Sequence, residues 1–379
     1  MIEKKRVTPY YLIHKKQFEK NCMEVEENFR KVWGENFLCG YSMKTNSCSE
    51  LVLQAKNRGW FAEVVSDHEF DYASTLGFGM GKMICNGPAK NEMLRKALEQ
   101  YQILNLDHIQ EVQDACNIIE QEGLVKNKLW IGLRVNFDLE RFCLGETSAG
   151  KQGSRFGISY ENGDLKRAID LLNHHQIPIL GLHMHTSTTT RSLSVFQELS
   201  KMACKLANEF EVEFRFIDIG GGFFGGQIVK EKPTMKEYAE VISEELKKHF
   251  DPLKVTLIVE PGASIIATAV DYVAKVVNIR DILGQRVVTL DGTVLHINPF
   301  MVNRKPLVDI VGNDCVHKHI DVQRVCGCTC IEKDVFDILL DEKELLCDNE
   351  LIFHNAGAYT MSFNSYFILT PPRIYTDEM

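Results

Sequence analysis

From about residue 36 the chain alternates short apolar, β-branched runs with longer amphipathic stretches. Residues 36–43, 61–66, 83–87, 103–107, 129–136, 179–185, 214–219 and 256–260 are brief, nearly continuous apolar segments and read as eight buried strands. Between most of them, apolar positions recur every three or four residues, as in 91–101, 109–122, 165–175, 193–210 and 235–250, which predicts helices. Strand–helix alternation implies parallel strands, and eight such units close naturally into a barrel. The fold class expected is therefore α/β, a (β/α)8 TIM barrel. A doubly wound open sheet is the alternative that the same pattern allows.

After Gly262 the pattern changes. Residues 272–279, 286–290, 293–297 and 351–353 are strand-like, turns fall at Asp291-Gly292 and Gly312-Asn313, and helix signals nearly vanish. A second, mostly antiparallel β domain is expected there. Residues 9–13 read as a strand ahead of the barrel and should pair with that domain. The expected organisation is a barrel over 30–265 and a discontinuous β domain of 1–29 plus 266–379, the latter contributing to a dimer interface. A chain of 379 residues agrees with two domains.

Composition narrows the partners. A net charge of -9 argues against nucleic acid, which needs a basic surface. Nowhere do about 18 apolar residues run together, so no membrane span is expected. The basic start, MIEKKRVTPYYLIHKKQFEK, has no apolar run behind it and does not read as a secretory leader. The 12 cysteines are dispersed, which favours reduced thiols and a cytoplasmic setting over a disulfide framework.

In a (β/α)8 barrel the chemistry sits at the C-terminal strand ends. Those positions hold Lys44, Ser66 with Asp67 and Glu69, Asn86, Arg134 with Asn136, His185 with Thr186 to Thr188, the run Gly220-Gly221-Gly222, and Glu260. Lys44 is either a surface lysine after a buried strand or, desolvated, a nucleophile toward a carbonyl. The glycine run, extended by Gly225 and Gly226, lets backbone N–H groups approach an anion and reads as a phosphate site. A dinucleotide fingerprint fits it less well, because no ribose-binding acid is well placed on the next strand. His183 and His185, at i and i+2, can share a metal, be one buried and one exposed residue, or lay an imidazole on a planar cofactor. Glu260 can hold a protonated pyridine nitrogen or act as a loop cap. Cys326-Gly327-Cys328-Thr329-Cys330 has C-x-C-x-C spacing with no evident fourth ligand, so no metal is expected and a single functional cysteine is favoured.

Taken in order, these motifs resemble the alanine-racemase-like pyridoxal 5′-phosphate (PLP) enzymes of fold type III. The nearer likeness is to their ornithine, arginine and diaminopimelate decarboxylase branch, over nearly the whole chain. Tyr41-Ser42-Met43-Lys44-Thr45-Asn46 is similar to the Schiff-base motif and implies Lys44 as the cofactor's attachment. The resemblance further places Ser66 and Glu69 near the cofactor, Arg134 beside the ring, and His185 stacked on it. Gly220, Gly221, Gly222, Tyr359 and Thr188 fall at the phosphate, and Glu260 at the pyridine nitrogen. Ser154-Arg155-Phe156-Gly157 is similar to a further family segment. Cys326 to Cys330 resembles Cys-Gly-x-x-Cys, whose last cysteine reaches the partner subunit's site. That implies a homodimer with shared active sites and Cys330 as proton donor, Lys44 being next.

Departures from the family pattern bear on phosphate and substrate. Ala263 stands where the family usually has a phosphate-binding arginine. Ile331 stands where basic amino acid decarboxylases carry an acid that reads a distal ammonium, and an apolar side chain cannot pair with a cation. Asp291, or Glu332, is a candidate to supply that carboxylate. Arg304, Lys305 and Arg324 are candidates to bind a carboxylate or acyl group. The expected function is release of CO2 from the α-carbon of an amino-acid-like substrate, free or carrier-bound, and not a plain diamino acid. Alternatives are a PLP racemase, a metal-dependent barrel hydrolase using His183 and His185, and a non-catalytic regulatory homologue.

Overall fold

The computed structural model describes residues 6–302, 305–312, 318–364 and 366–377. The chain forms two compact units, one of Asn21–Ser264 and one of Met1–Lys20 with Ile265–Met379. The first junction lies ahead of the expected position at 29/30. Both points fall inside one helix, α1 (Lys15–Trp33), where hydrophobic periodicity carries no boundary signal.

Strand β1 (Tyr10–Ile13) belongs to the second unit and precedes α1. The first unit runs β2 (Phe37–Ser42), α2 (Ser49–Asn57), β3 (Phe61–Val64), α3 (Asp67–Thr75), β4 (Met83–Cys85), α4 (Glu92–Glu99), β5 (Ile103–Leu106), α5 (Ile109–Gln121) and β6 (Trp130–Asn136). It continues with the short β7 (Ile158–Ser159), α6 (Asp164–His174), β8 (Gly181–His183), α7 (Leu193–Phe210), β9 (Phe216–Asp218), α8 (Met235–Leu246) and β10 (Thr256–Val259), and α9 (Ala263–Ile266) follows. Parallel pairing runs β5-β4-β3-β2-β10-β9-β8-β6, and β5 pairs with β6, so eight strands close into a barrel. This is the predicted (β/α)8 architecture, and the open-sheet alternative is excluded by that closure.

The strands are shorter than their apolar runs because the last residues leave the ladder to begin loops and caps. Ser66, at the end of one run, is the N-cap of α3 and accepts the Glu69 amide at 3.2 Å. Inside the barrel Ile84, Ile103, Phe216 and Ile258 form one buried layer. Gly181 makes room for it, since a Cβ there would stand 2.2 Å from the Phe216 ring.

In the second unit β11 (Val270–Ile282), β12 (Gln285–Leu290), β13 (Val308–Val311), β14 (His319–Cys326), β15 (Val335–Lys343), β16 (Glu350–Phe353) and β17 (Arg373–Thr376) form a mostly antiparallel sheet with β1. β1 pairs with β11 antiparallel and with β17 parallel. The predicted strand at 293–297 is instead a 3-10 turn, Val294–His296, capped by the Thr293 hydroxyl. That hydroxyl donates to the buried Asp334, which also accepts the Val294 amide, so the backbone leaves the sheet at this point. The turn expected at Gly312-Asn313 falls partly outside the described residues. Among the described residues no helix is long and apolar enough to cross a membrane.

Candidate active site

At the C-terminal mouth of the barrel, polar side chains from successive strands meet. Lys44, just past β2, donates to Glu63 Oε2 at 2.5 Å, and Ser42 Oγ donates to the same oxygen at 2.8 Å. Glu63 lies on β3, only 1% exposed. Asn86 Nδ2, past β4, bridges Glu63 Oε1 at 3.1 Å and Glu260 Oε1 at 2.6 Å. Asn105 of β5 donates to Asn86 Oδ1 at 2.9 Å and to Asp218 Oδ2 at 3.3 Å. A continuous polar chain therefore crosses the barrel from Lys44 to Glu260 and Asp218.

Burial, then the adjacent Glu260 charge, raises the Asp218 carboxyl well above the usual carboxylate range, which favours its protonated form beside Glu260. His183 ends β8 with its Nε2 3.6 Å from Glu260 Oε2, and both ring nitrogens are buried without a hydrogen-bond partner. Burial, then the Arg134 charge, holds His183 well below the ordinary imidazole value. His183, Asp218 and Glu260 are the one trio among the described residues with ligand atoms close enough together to hold a metal. The His183 and His185 rings are nearly parallel with centroids 6.0 Å apart, and His185 is not part of that trio.

His185 accepts the Gly221 amide on Nδ1 at 3.3 Å, which assigns its proton to Nε2. Burial and the charge of Arg134 keep it neutral. The glycine turn wraps this ring. Gly220 has φ +72, and a Cβ on it would stand 2.4 Å from His185 Cβ, while one on Gly221 would stand 2.3 Å from the Glu260 carbonyl oxygen. The Gly220 amide is given to Asp218 Oδ1 at 2.8 Å. Two of the three predicted phosphate amides are thus used inside the protein.

A family model described as "Pyridoxal-dependent decarboxylase, pyridoxal binding domain" matches residues 15–267. This chain belongs to the pyridoxal-dependent decarboxylases. The diaminopimelate decarboxylase of Methanocaldococcus jannaschii is 26% identical over 384 residues, covering 97% of this chain and 85% of its own length. A crystal structure of the M. jannaschii diaminopimelate decarboxylase superposes with a TM-score of 0.85 at 25% identity, over 98% of this chain and 87% of that one. The Helicobacter pylori enzyme in complex with L-lysine gives 0.82 at 22% identity, over 98% and 92%, and that likeness is one of fold.

The cofactor of this decarboxylase is pyridoxal 5′-phosphate, and the barrel mouth fits it. The residues supply an amine, a carboxylate, flat neutral imidazoles, and a turn whose inner side only glycine can occupy.

The other expected site residues separate into groups. Arg134 is buried, donates to Asp107 Oδ1 at 3.1 Å, and lies over the Phe156 ring. Thr188 Oγ1 accepts the amides of Thr190 at 3.1 Å and Arg191 at 2.7 Å, so only its proton remains to donate. Tyr359, in the second unit, adopts φ 56 and is exposed. Cys330 is exposed, and with Ile331, Arg280, Arg324 and Glu332 it lines a cavity of about 460 Å³ within that unit. Asp291 is engaged on each oxygen within its own unit: Oδ1 accepts the Lys275 amide at 2.8 Å and Oδ2 the Thr8 hydroxyl at 2.5 Å. Its side chain is built into the β1–β11 corner. Arg304 lies outside the described residues.

Sequence reading missed Glu63 and Asn105 as members of this network, and Asp107 as the partner of Arg134. The signal was a polar side chain inside an otherwise apolar barrel strand or at its end, as in Phe61-Ala62-Glu63-Val64. Glu69 has a testable signature. Burial, then the charge of Glu63, raises it from the ordinary 4.5 to about 7. A carboxyl whose folded value is raised contributes stability in full below its ordinary value and loses it as pH rises through the folded value. Glu69→Gln keeps an acceptor for the Val65 amide and removes the titration. The wild type is expected to lose on the order of 1 kcal/mol relative to this variant between about pH 4.5 and 7. Denaturant midpoints across that range check it, and parallel profiles would refute it.

Proposed function

We propose that Lys44 anchors the cofactor and that the barrel mouth releases the α-carboxylate of an amino acid as CO2. The observation that carries this is the unbroken hydrogen-bonded chain from Lys44 through Glu63 and Asn86 to Glu260. Bound PLP supplies an electron sink for the carbanion left when CO2 departs. Glu63 holds the Lys44 ammonium and can take its proton, freeing an amine nucleophile. Glu260, anchored by Asn86 and flanked by Asp218, whose protonated form burial favours, presents a fixed carboxylate to a ring nitrogen. His185, neutral and tied to the Gly221 amide, presents a flat face to the ring. The turn at Gly222 takes the phosphate, with the Thr188 hydroxyl donating to it. Cys330, exposed on the single chain, serves as a proton donor to the site of a second copy, so the working form is a homodimer.

The relatives give no support for excluding diamino acids, since their name is that of a diamino acid decarboxylase. The narrower reading is that the distal end of the substrate is not a bare ammonium. It rests on Ile331, on the commitment of Asp291, and on Arg280 and Arg324 beside Cys330. Diaminopimelate, with a second carboxylate, and acylated or carrier-bound amino acids all meet that description. CO2 release measured over diaminopimelate, lysine, ornithine, arginine and their acylated forms tests it. Preference for a carboxylate-bearing or acylated substrate is expected. Turnover confined to lysine, ornithine or arginine would remove the distal-group reading, and racemisation without CO2 would remove the reaction.

A further inference from the structure

The phosphate end of this site is one cation short by comparison with the family it resembles. Ala263 stands in place of the arginine, and the Gly220 and Gly221 amides are spent on Asp218 and His185. We propose that Arg191 supplies the missing positive charge to the cofactor phosphate. This rests on the reading of the glycine turn as the phosphate cradle.

Arg191 follows the Thr188 turn that faces the glycine turn. A Cβ on Gly222 would lie 3.7 Å from Thr188 Cγ2. The guanidinium reaches across: Arg191 Nη1 donates to the Phe223 carbonyl over a long 3.5 Å. Among the described residues no carboxylate pairs with it. Glu146, the acid that this loop does engage, is taken up by the hydroxyls of Thr190, Ser192 and Ser194. An arginine fork held by one long bond beside a glycine turn suits an anion that accepts several N–H bonds.

The backbone is built to place it there. Arg191 adopts φ 58, a conformation sparsely populated by residues with a Cβ, and such geometry persists only where the surroundings impose it. Its amide is held by Thr188 Oγ1 at 2.7 Å. Its carbonyl accepts the Tyr238 hydroxyl at 2.5 Å, and that same hydroxyl oxygen accepts the Phe224 amide at 3.3 Å. Tyr238 of α8 thereby ties the arginine turn to the far end of the glycine turn. Its ring packs edge-on against the stacked pair Phe196 and Phe223, with centroids at 4.9 and 5.2 Å. Lys232 also approaches, but its Nζ is exposed and donates to the Thr190 carbonyl at 3.3 Å.

The test titrates the cofactor-free protein with PLP and, separately, with pyridoxal, which lacks the phosphate, following absorbance. Arg191→Ala is expected to weaken PLP about tenfold to a hundredfold, the scale of one charge-assisted contact, and to leave pyridoxal unchanged. Unchanged pyridoxal binding also reports an intact fold. Arg191→Lys should recover part of the loss, and Ala263→Arg added to Arg191→Ala should recover more. Wild-type discrimination retained in Arg191→Ala, or lost in Lys232→Ala instead, would overturn the assignment while leaving the cradle in place. A wild type that does not distinguish PLP from pyridoxal would overturn both.

Discussion

Lys44→Ala is expected to lower CO2 release by at least about a thousandfold, the scale of losing a covalent anchor rather than a binding contact. In the folded chain Lys44 Nζ stands 2.5 Å from Glu63 Oε2, a carboxylate that Ser42 and Asn86 also donate to. Alanine removes both the nucleophile and the cation that neutralises Glu63. The second loss adds a structural cost, so the assay needs a readout other than rate. Borohydride reduction of wild-type protein loaded with PLP should leave a covalent label on the peptide bearing Lys44, and the variant should carry none. A Glu63→Gln companion keeps the amine and the packing, so it should still be labelled, though more slowly. Label recovered on another lysine, or turnover preserved in Lys44→Ala, would defeat the assignment.

Lys90→Met is expected to destabilise the barrel by about 3–5 kcal/mol, the cost of leaving one member of a buried ion pair uncompensated. Lys90 is wholly buried; its Nζ donates to Glu111 at 3.0 and 2.9 Å and to the Gly87 carbonyl at 2.7 Å. Glu111 in turn accepts the Asp107 amide at 2.6 Å, and Asp107 holds Arg134. The pair is thus a strut behind Arg134. The double variant Lys90→Met/Glu111→Gln should recover most of the stability, because Gln keeps an acceptor for the Asp107 amide and carries no charge. Denaturant unfolding of the three proteins measures this. Equal stability of the single and double variants would show that the buried charge is not what the loss reflects.

The barrel was legible because each strand is a short apolar run and each helix an amphipathic one, so the eight-fold alternation survives reading without coordinates. What periodicity could not show was where a run leaves the ladder. Ser66 and Thr293 both sit in segments that read as strand, yet each side chain caps the next turn. Capping is decided by a single hydrogen bond, which an apolar pattern does not record.

The site was legible to a similar depth. Lys44, His185, the glycine turn and Glu260 stand at strand ends, where the architecture itself directs attention. Asp291 shows the limit. As a carboxylate before a glycine it reads as an unengaged charge, but at the β1–β11 corner each of its oxygens already accepts a hydrogen bond. Arg191 shows the reverse, an arginine in a polar loop that no motif singles out, brought to the glycine turn by the hydroxyl of Tyr238.

By itself the sequence determined the fold class, the order of the elements and the types of residue at each strand end, because local apolar period and strand position are properties of neighbouring residues. Only the tertiary structure decided which polar groups are already satisfied and which stand ready. That depends on partners tens or hundreds of residues away, and in a buried site a single such partner decides whether a side chain is structure or chemistry.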